Sequence, residues 1–351
     1  MSRSQMKYHP RIGYTFMPSA KLRVPGATGG YLVRTNAAGF RSDREFVAQG
    51  SPGIFRALLF GDSQTAGDGG PNSERYSDLL EKAVPGLEIF NYGLSGTGTD
   101  QQFLAYQECA DVEHDLLVIG LYVENIRRVS RRIVKSRETN GVYAYYAKPY
   151  YLIEHDELVL RNVPVPKQAW TEQTLPAALH PHVYSYLETN LFARNKRPAL
   201  HKVASMVPVP LRKSIKRVVT RLSKFQPLPE YDAPDKPEWL LLRRLLETWL
   251  RASRTPVLLV TIPHYLYSMA SSDPTGYQAR CRDLAEHAGC HLYDFLPDIW
   301  KLSAKERSTL WCASAQQHLS SNGHAILASL LAPIFERFVK IGRVENRIRI
   351  L

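Results

Sequence analysis

The 351-residue chain has no run of about 18 apolar residues, the length a membrane-crossing helix requires, so no transmembrane helix is expected. Behind the basic residues of its first segment, MSRSQMKYHPRIGY, no apolar stretch follows, and a secretory signal peptide is not expected either. Cysteine is scarce: Cys109, Cys281, Cys290 and Cys312 are scattered, without the paired spacing of metal ligands. They read as reduced thiols of a cytoplasmic protein, with neither a metal site nor a cofactor expected. Internal repeats and low-complexity tracts are absent. Acidic residues are too few to balance the basic ones, 33 against 45, which leaves a formal charge of +12.

What is present suits a globular protein, with 44% apolar and 22% charged residues, long enough for one large domain with insertions. The excess charge is local. Between Ile126 and Gln226 there are nineteen Lys or Arg and six Asp or Glu, a net of +13, so the rest of the chain is nearly neutral. The basicity therefore belongs to one segment and to its particular role.

Five short apolar runs, Ile54 to Phe60, Leu87 to Tyr92, Asp115 to Tyr122, Pro256 to Ile262 and Cys290 to Phe295, are mostly continuous rather than alternating. Strands buried on both faces of a parallel sheet have that signature. Helical spacing appears between them at Asn72 to Val84, Thr99 to Ala110, Pro237 to Ala252 and Gly276 to Gly289, and after them at Asn322 to Ile341. The fold class expected is α/β, a three-layer α/β/α sandwich around a five-stranded parallel, flavodoxin-like sheet. Residues 1–50 are expected to form an irregular arm, 51–125 and 238–351 the core, and 126–237 a long insertion. Within the insertion, YYLIE and ELVLRN joined by His155 and Asp156 predict a hairpin on the ligand edge of the sheet. Tyr184 to Phe225 predicts a basic helical lid, and Leu228 to Pro237 a Pro-rich connector.

Four loops follow the strands with chemistry in them. LLFGDSQTAGDGG places Ser63 on a tight strand-to-helix turn, where it is expected to be exposed with its own N–H beside it. NYGLSGTGTDQQ offers small residues, Gly96 among them, that let backbone amides approach a ligand. GLYVENIRR places the amide of Asn125 at the same edge. HLSSNGHAILA puts His318 just before the last helix, with Ser320 or Ser321 as its N-cap. A histidine there can deprotonate Ser63 and then protonate a leaving group. Taken singly, each is as consistent with an ordinary loop.

Together and in this order, the four blocks resemble the SGNH/GDSL hydrolase superfamily, over roughly Phe55 to Asn125 and Pro256 to Leu330. The resemblance implies Ser63 as nucleophile, His318 as base, and an oxyanion hole of Ser63 N–H, Gly96 N–H and the Asn125 side chain. Two positions depart from the family's pattern. Relatives carry an Asp two or three residues before the histidine, where Ala315 and Gln316 stand here, and many have Asp where Ile126 follows Asn125. His318 is then either one half of a dyad or oriented by another group, with Asp294 and Asp298 the nearest acids in sequence. Loss of a triad acid costs orders of magnitude without abolishing catalysis.

Arg127, Arg128, Arg131 and Arg132 directly follow Asn125 and are candidates to bind a carboxylate or phosphate on the substrate. From Leu211 onward Leu211, Ile215, Val218, Val219 and Leu222 share one helical face amid Lys and Arg, as in a helix that rests on an anionic membrane or, equally, a lid with a solvated face. No nucleic-acid motif accompanies the charge, and no nucleic-acid partner is expected. The function expected is a serine esterase acting through a Ser63 acyl-enzyme on an O-acylated carbohydrate or glycolipid. The segments GYTFMP, TNAAGFRS and NVPVP are similar to bacterial SGNH proteins linked to surface-glycan modification. The alternatives are an O-acyltransferase on a surface-glycan precursor, a lipase at a membrane surface, and a non-catalytic SGNH-fold binding protein. The location expected is cytoplasmic, with peripheral membrane contact through the basic insert.

Overall fold

The computed structural model describes residues 5–24, 30–138, 141–185, 226–312 and 318–349. Its centre is one sheet of β1 (Phe55–Gly61), β2 (Leu87–Asn91), β3 (Leu116–Tyr122), β4 (Val257–Ile262) and β5 (His291–Asp294). They lie in the order β5-β4-β3-β1-β2, and every neighbouring pair is parallel. The chain thus starts mid-sheet, winds outward to β2, then returns past β1 to β3. The order reverses between β1 and β3, and it is at the carboxyl ends of the strands beside such a switch point that folds of this order bind ligands.

The helices that frame the sheet and the site are α1 (Ser63–Ala66), α2 (Tyr76–Ala83), α3 (Thr99–Glu108), α4 (Asn125–Val129), α5 (Pro237–Ala252), α6 (Thr275–Ala288) and α7 (Ser321–Arg349), with further short helices at Tyr265–Ser268, Leu296–Lys301 and Ala304–Thr309. Continuous apolar runs in the strands follow from burial on both faces. Leu58 and Phe60 of β1, with Leu117 and Ile119 of β3, pack against α3, α5 and α6 through Phe103, Leu246, Trp249 and Leu284. Ala57 and Leu59, with Leu116 and Val118, face the opposite way and pack against Leu80 of α2 and Leu327, Leu331 and Phe335 of α7. Three layers result, as the alternation within each strand requires. Among the described residues, no helix is long and apolar enough to cross a membrane.

The first fifty residues, expected to be irregular, contain two antiparallel hairpins, Met6–His9 with Gly13–Phe16 and Lys21–Val24 with Tyr31–Arg34. The hairpin expected in the insertion is present: Tyr150–Glu154 pairs with Glu157–Arg161 across His155 and Asp156, both with φ near +50 to +65°. It runs from the ligand edge over the outer side of the α3 and α5 layer, where Tyr151 meets Phe103 and Asp156 pairs with Arg244. A four-stranded sheet not foreseen from sequence lies beside it, in the order Ala169–Trp170, Tyr143–Ala147, Ile133–Arg137, Val183–Ser185. Its small core is Ile133, Tyr145, Ala147, Val165 and Leu175. The buried ion pair of Lys148 with Asp100 ties this sheet to the start of α3. Residues 186–225, including the basic amphipathic helix expected from Leu211, lie outside the described residues.

Candidate active site

The turn after β1 is shaped by close packing. A Cβ on Gly61 would lie 2.2 Å from Thr65 Oγ1 and 2.9 Å from the Gly120 carbonyl, so only glycine lets β1 run so near β3 and the first turn of α1. Asp62 caps that turn, its Oδ1 accepting from Gln64 N at 3.0 Å. Ser63 is therefore the first residue of α1, at the switch point between β1 and β3. It is not exposed, as the sequence suggested, but 2% accessible. A tight turn projects the serine from the sheet edge, yet the loops after β1, β2 and β3 are themselves buried and close round it.

His318 arrives from the far end of the chain. Its carbonyl accepts from Cys312 N at 2.8 Å, Leu319 bridges to Trp311, and Leu319 N donates to Gln64 Oε1 at 2.9 Å. The hydroxyl of Ser320 accepts from Gly323 N at 3.1 Å, which caps α7 as its position implied. So held, His318 Nε2 lies 2.9 Å from Ser63 Oγ, across 255 residues of sequence. Burial holds the imidazole below its ordinary pKa, while the carboxylates of Asp68 and Asp62 pull it back up. The neutral ring is the form that accepts the serine proton.

Ala315 and Gln316 lie outside the described residues. Asp294 and Asp298 are occupied away from His318. Asp294 accepts from the Thr261 and Tyr277 hydroxyls and from Gln278 Nε2, and Asp298 from the Tyr293 hydroxyl and Lys301.

Asn125 is the first residue of α4 and fully buried, yet neither its Oδ1 nor its Nδ2 has a hydrogen-bond partner among the described residues. A buried amide left unpaired costs about 1–3 kcal/mol. Gly96 has φ +86°, a conformation that favours glycine, and the Tyr14 hydroxyl holds its loop by donating to the Ser95 carbonyl at 2.8 Å. Glu124, next to Asn125, is also buried with Oε1 unpaired, and burial raises its carboxyl. Sequence reading passed over it because a lone acid in a loop carries no pattern.

The arginine cluster is dispersed rather than gathered at the switch point. Arg127 forms a forked pair with Glu230 at 2.6 and 3.2 Å and donates to the Pro227 carbonyl. Arg128 is buried against Asp62, 2.6 Å from Oδ2, and donates to the Thr97 carbonyl. Arg131 donates to the Pro181 carbonyl, and Arg132 sits 4.9 Å over the Tyr150 ring. The guanidinium groups of Arg127 and Arg128 thus already have carboxylate partners.

One buttress of the site had no signal except the segment TNAAGFRS. Its Arg41 is fully buried and reaches the Gly67 and Gly70 carbonyls at 2.8 and 2.7 Å and Asn72 Oδ1 at 3.2 Å. It pins the loop after α1 at three points. Burial and the neighbouring Arg75 push its pKa down to about 10, so it stays charged at neutral pH.

No protein-family model matches the chain, and no curated protein does. Solved structures share a coarse outline with it. A member of the lipolytic G-D-S-L family from Veillonella parvula is 9% identical, with 81% of this chain and 100% of that one covered, at a TM-score of 0.43. A protein from Lactobacillus plantarum is 13% identical over 81% and 97% of the two chains, at a TM-score of 0.42. An α/β hydrolase enzyme from the metagenome of Lake Arreo, Spain, is 14% identical over 82% and 96%, at a TM-score of 0.39. At such identities and scores the likenesses lend no weight of their own, and the α/β/α assignment rests on the parallel order β5-β4-β3-β1-β2 with a Ser–His pair at its switch point.

Proposed function

We propose that the chain is a serine esterase of the SGNH type, with Ser63 as nucleophile and His318 as its base. The observation that carries this is the 2.9 Å contact between His318 Nε2 and Ser63 Oγ at the switch point of the sheet. In the first half-reaction Ser63 Oγ attacks an ester carbonyl as its proton passes to His318 Nε2. The carbonyl oxygen becomes an oxyanion, for which the unpaired Asn125 amide and the N–H groups of Ser63 and Gly96 are the donors proposed. His318 gives its proton to the departing alcohol, leaving an acyl-Ser63. Water, deprotonated by His318, then attacks the acyl carbon, and His318 returns that proton to Ser63 Oγ as the acid is released.

An O-acylated carbohydrate or glycolipid is the substrate class proposed. A second reading, transfer of the acyl group to a sugar hydroxyl, is favoured by one observation. Ser63 is 2% accessible, and a site that shields its acyl-enzyme from water lets a bound alcohol compete. A third, a binding protein without chemistry, fits poorly with a Ser–His pair at reacting distance. Contact with an anionic membrane is tested by liposome co-sedimentation with and without Leu211 to Phe225.

The test of the main reading is labelling by a fluorophosphonate probe, together with turnover of p-nitrophenyl acetate. Both are expected in the wild type and neither in Ser63→Ala. A folded wild type that neither labels nor turns over would overturn the esterase reading.

A further inference from the structure

The geometry points to Asp68 as the positioning carboxylate of His318, taking the place of the acid that relatives carry just before the histidine. The inference rests on the esterase reading above. It starts from the loop after α1, which doubles back so that Asp68 N donates to the Ser63 carbonyl at 2.9 Å. The next residue, Gly69, lies against the histidine's own segment. A Cβ on it would stand 4.0 Å from His318 Cβ and 3.5 Å from the Leu319 carbonyl. Asp68 is buried, and its Oδ1 is fixed by the Ser95 hydroxyl at 2.6 Å, with Arg41 Nη1 at 3.7 Å. Its Oδ2 receives no hydrogen bond from any described residue, and neither does any described carboxylate accept one from the His318 ring.

Three other acids are committed. Both oxygens of Asp62 are taken, one by Gln64 N and one by Arg128. Asp294 and Asp298 are held by the partners described above. Of the two carboxylates that raise the imidazole, Asp68 acts more strongly than Asp62. Among the described residues, then, the charged groups around His318 are Asp68 and Asp62 on one side of the balance and Arg128 on the other. A carboxylate so placed favours the tautomer with the proton on Nδ1 and stabilises the imidazolium that forms when Ser63 gives up its proton. The clamp of Arg41 on Gly67 and Gly70 acquires a purpose in this arrangement, because it holds the loop that carries Asp68.

The experiment compares the pH profile of p-nitrophenyl acetate hydrolysis in wild type, Asp68→Asn, Asp68→Glu and Asp298→Asn. Asp68→Asn is expected to lower kcat by about 10²- to 10⁴-fold with KM little changed. The acid limb of kcat/KM should move to lower pH, since the carboxylate is what raises the imidazole. Asp68→Glu keeps the charge, so it should recover part of the lost rate and return the limb toward its wild-type position. Asp298→Asn should match the wild type. A second measurement does not need the Asn variant to be active: the His318 imidazole, followed by NMR titration, should titrate at lower pH in Asp68→Asn than in wild type. Retention of kcat within about threefold, or an unmoved titration of His318, would overturn the inference. A wild type that turns over through Ser63 while Asp68→Asn is indistinguishable from it sinks this inference alone. A wild type with no Ser63-dependent turnover sinks the esterase reading instead.

Discussion

Two neighbouring stretches after β3 bury polar groups under opposite conditions. Asn125 is fully buried with both amide atoms unpaired among the described residues. Three residues on, Arg128 is buried with Asp62 and the Thr97 carbonyl as partners, and Arg127 is matched by Glu230. Sequence reading gave both stretches a role in binding, because an amide and a run of arginines are equally plausible ligands for oxygen. Burial separates them. A buried charge that already has its counter-charge is part of the fold, whereas a buried amide without partners is stabilised only when something else arrives.

The contrast breaks most readily at the ion pair. Arg128→Ala leaves Asp62 buried without its counter-charge, and a loss of about 3–5 kcal/mol in unfolding free energy is expected by urea titration. An Arg128→Ala protein as stable as wild type would mean that the guanidinium is held for a ligand after all. Asn125→Ala should behave in the opposite way. It deletes an unpaired group, so stability should hold or rise, while kcat for ester hydrolysis falls by roughly 10²–10³-fold, as loss of an oxyanion donor does. If Asn125→Ala unfolds the protein, the amide is structural.

A third effect, spread over a range of pH, concerns three buried histidines. Burial lowers His318, and it pushes His264 and His324 down to about 3. Above about pH 6.5 these rings are neutral in both states, and their contribution to stability is complete. As pH falls below that value the unfolded chain takes up protons that the folded one refuses. Stability should therefore decline by about 1.4 kcal/mol per pH unit for each of His264 and His324 until their folded values near 3 are reached. Replacing His264 by Gln should remove one share of that slope in pH-dependent urea titrations; an unchanged slope would show that this ring does not titrate on unfolding. The smallest effect is expected at Arg131, whose recorded bond to the Pro181 carbonyl is at the surface. Arg131→Ala should shift stability by no more than about 0.5 kcal/mol. A rise in KM for an anionic ester with no change for a neutral one would instead support its role in substrate binding.

Much of this protein is legible without coordinates. The five apolar runs, mostly continuous rather than alternating, point to a largely buried parallel sheet, and their bounds fall within a residue or two of β1 to β5. Gly61-Asp62-Ser63 specifies a capped turn by itself, and His155-Asp156 specifies a hairpin, because both depend on local backbone conformation. The strand Ile133–Arg137 was hidden for the same reason in reverse. Its residues IVKSR carry no strand pattern of their own, and only pairing with Tyr143–Ala147 makes it a strand. Tertiary structure alone decided which polar groups find partners. Nothing in the order of residues tells Arg128, paired with Asp62 across 66 positions, from an arginine aimed at a ligand. Nor does it place Asp68 beside His318 or bury Arg41 beneath the loop between them. Local sequence sets how the backbone turns, but the state of a charge depends on what the fold brings within a few ångströms of it.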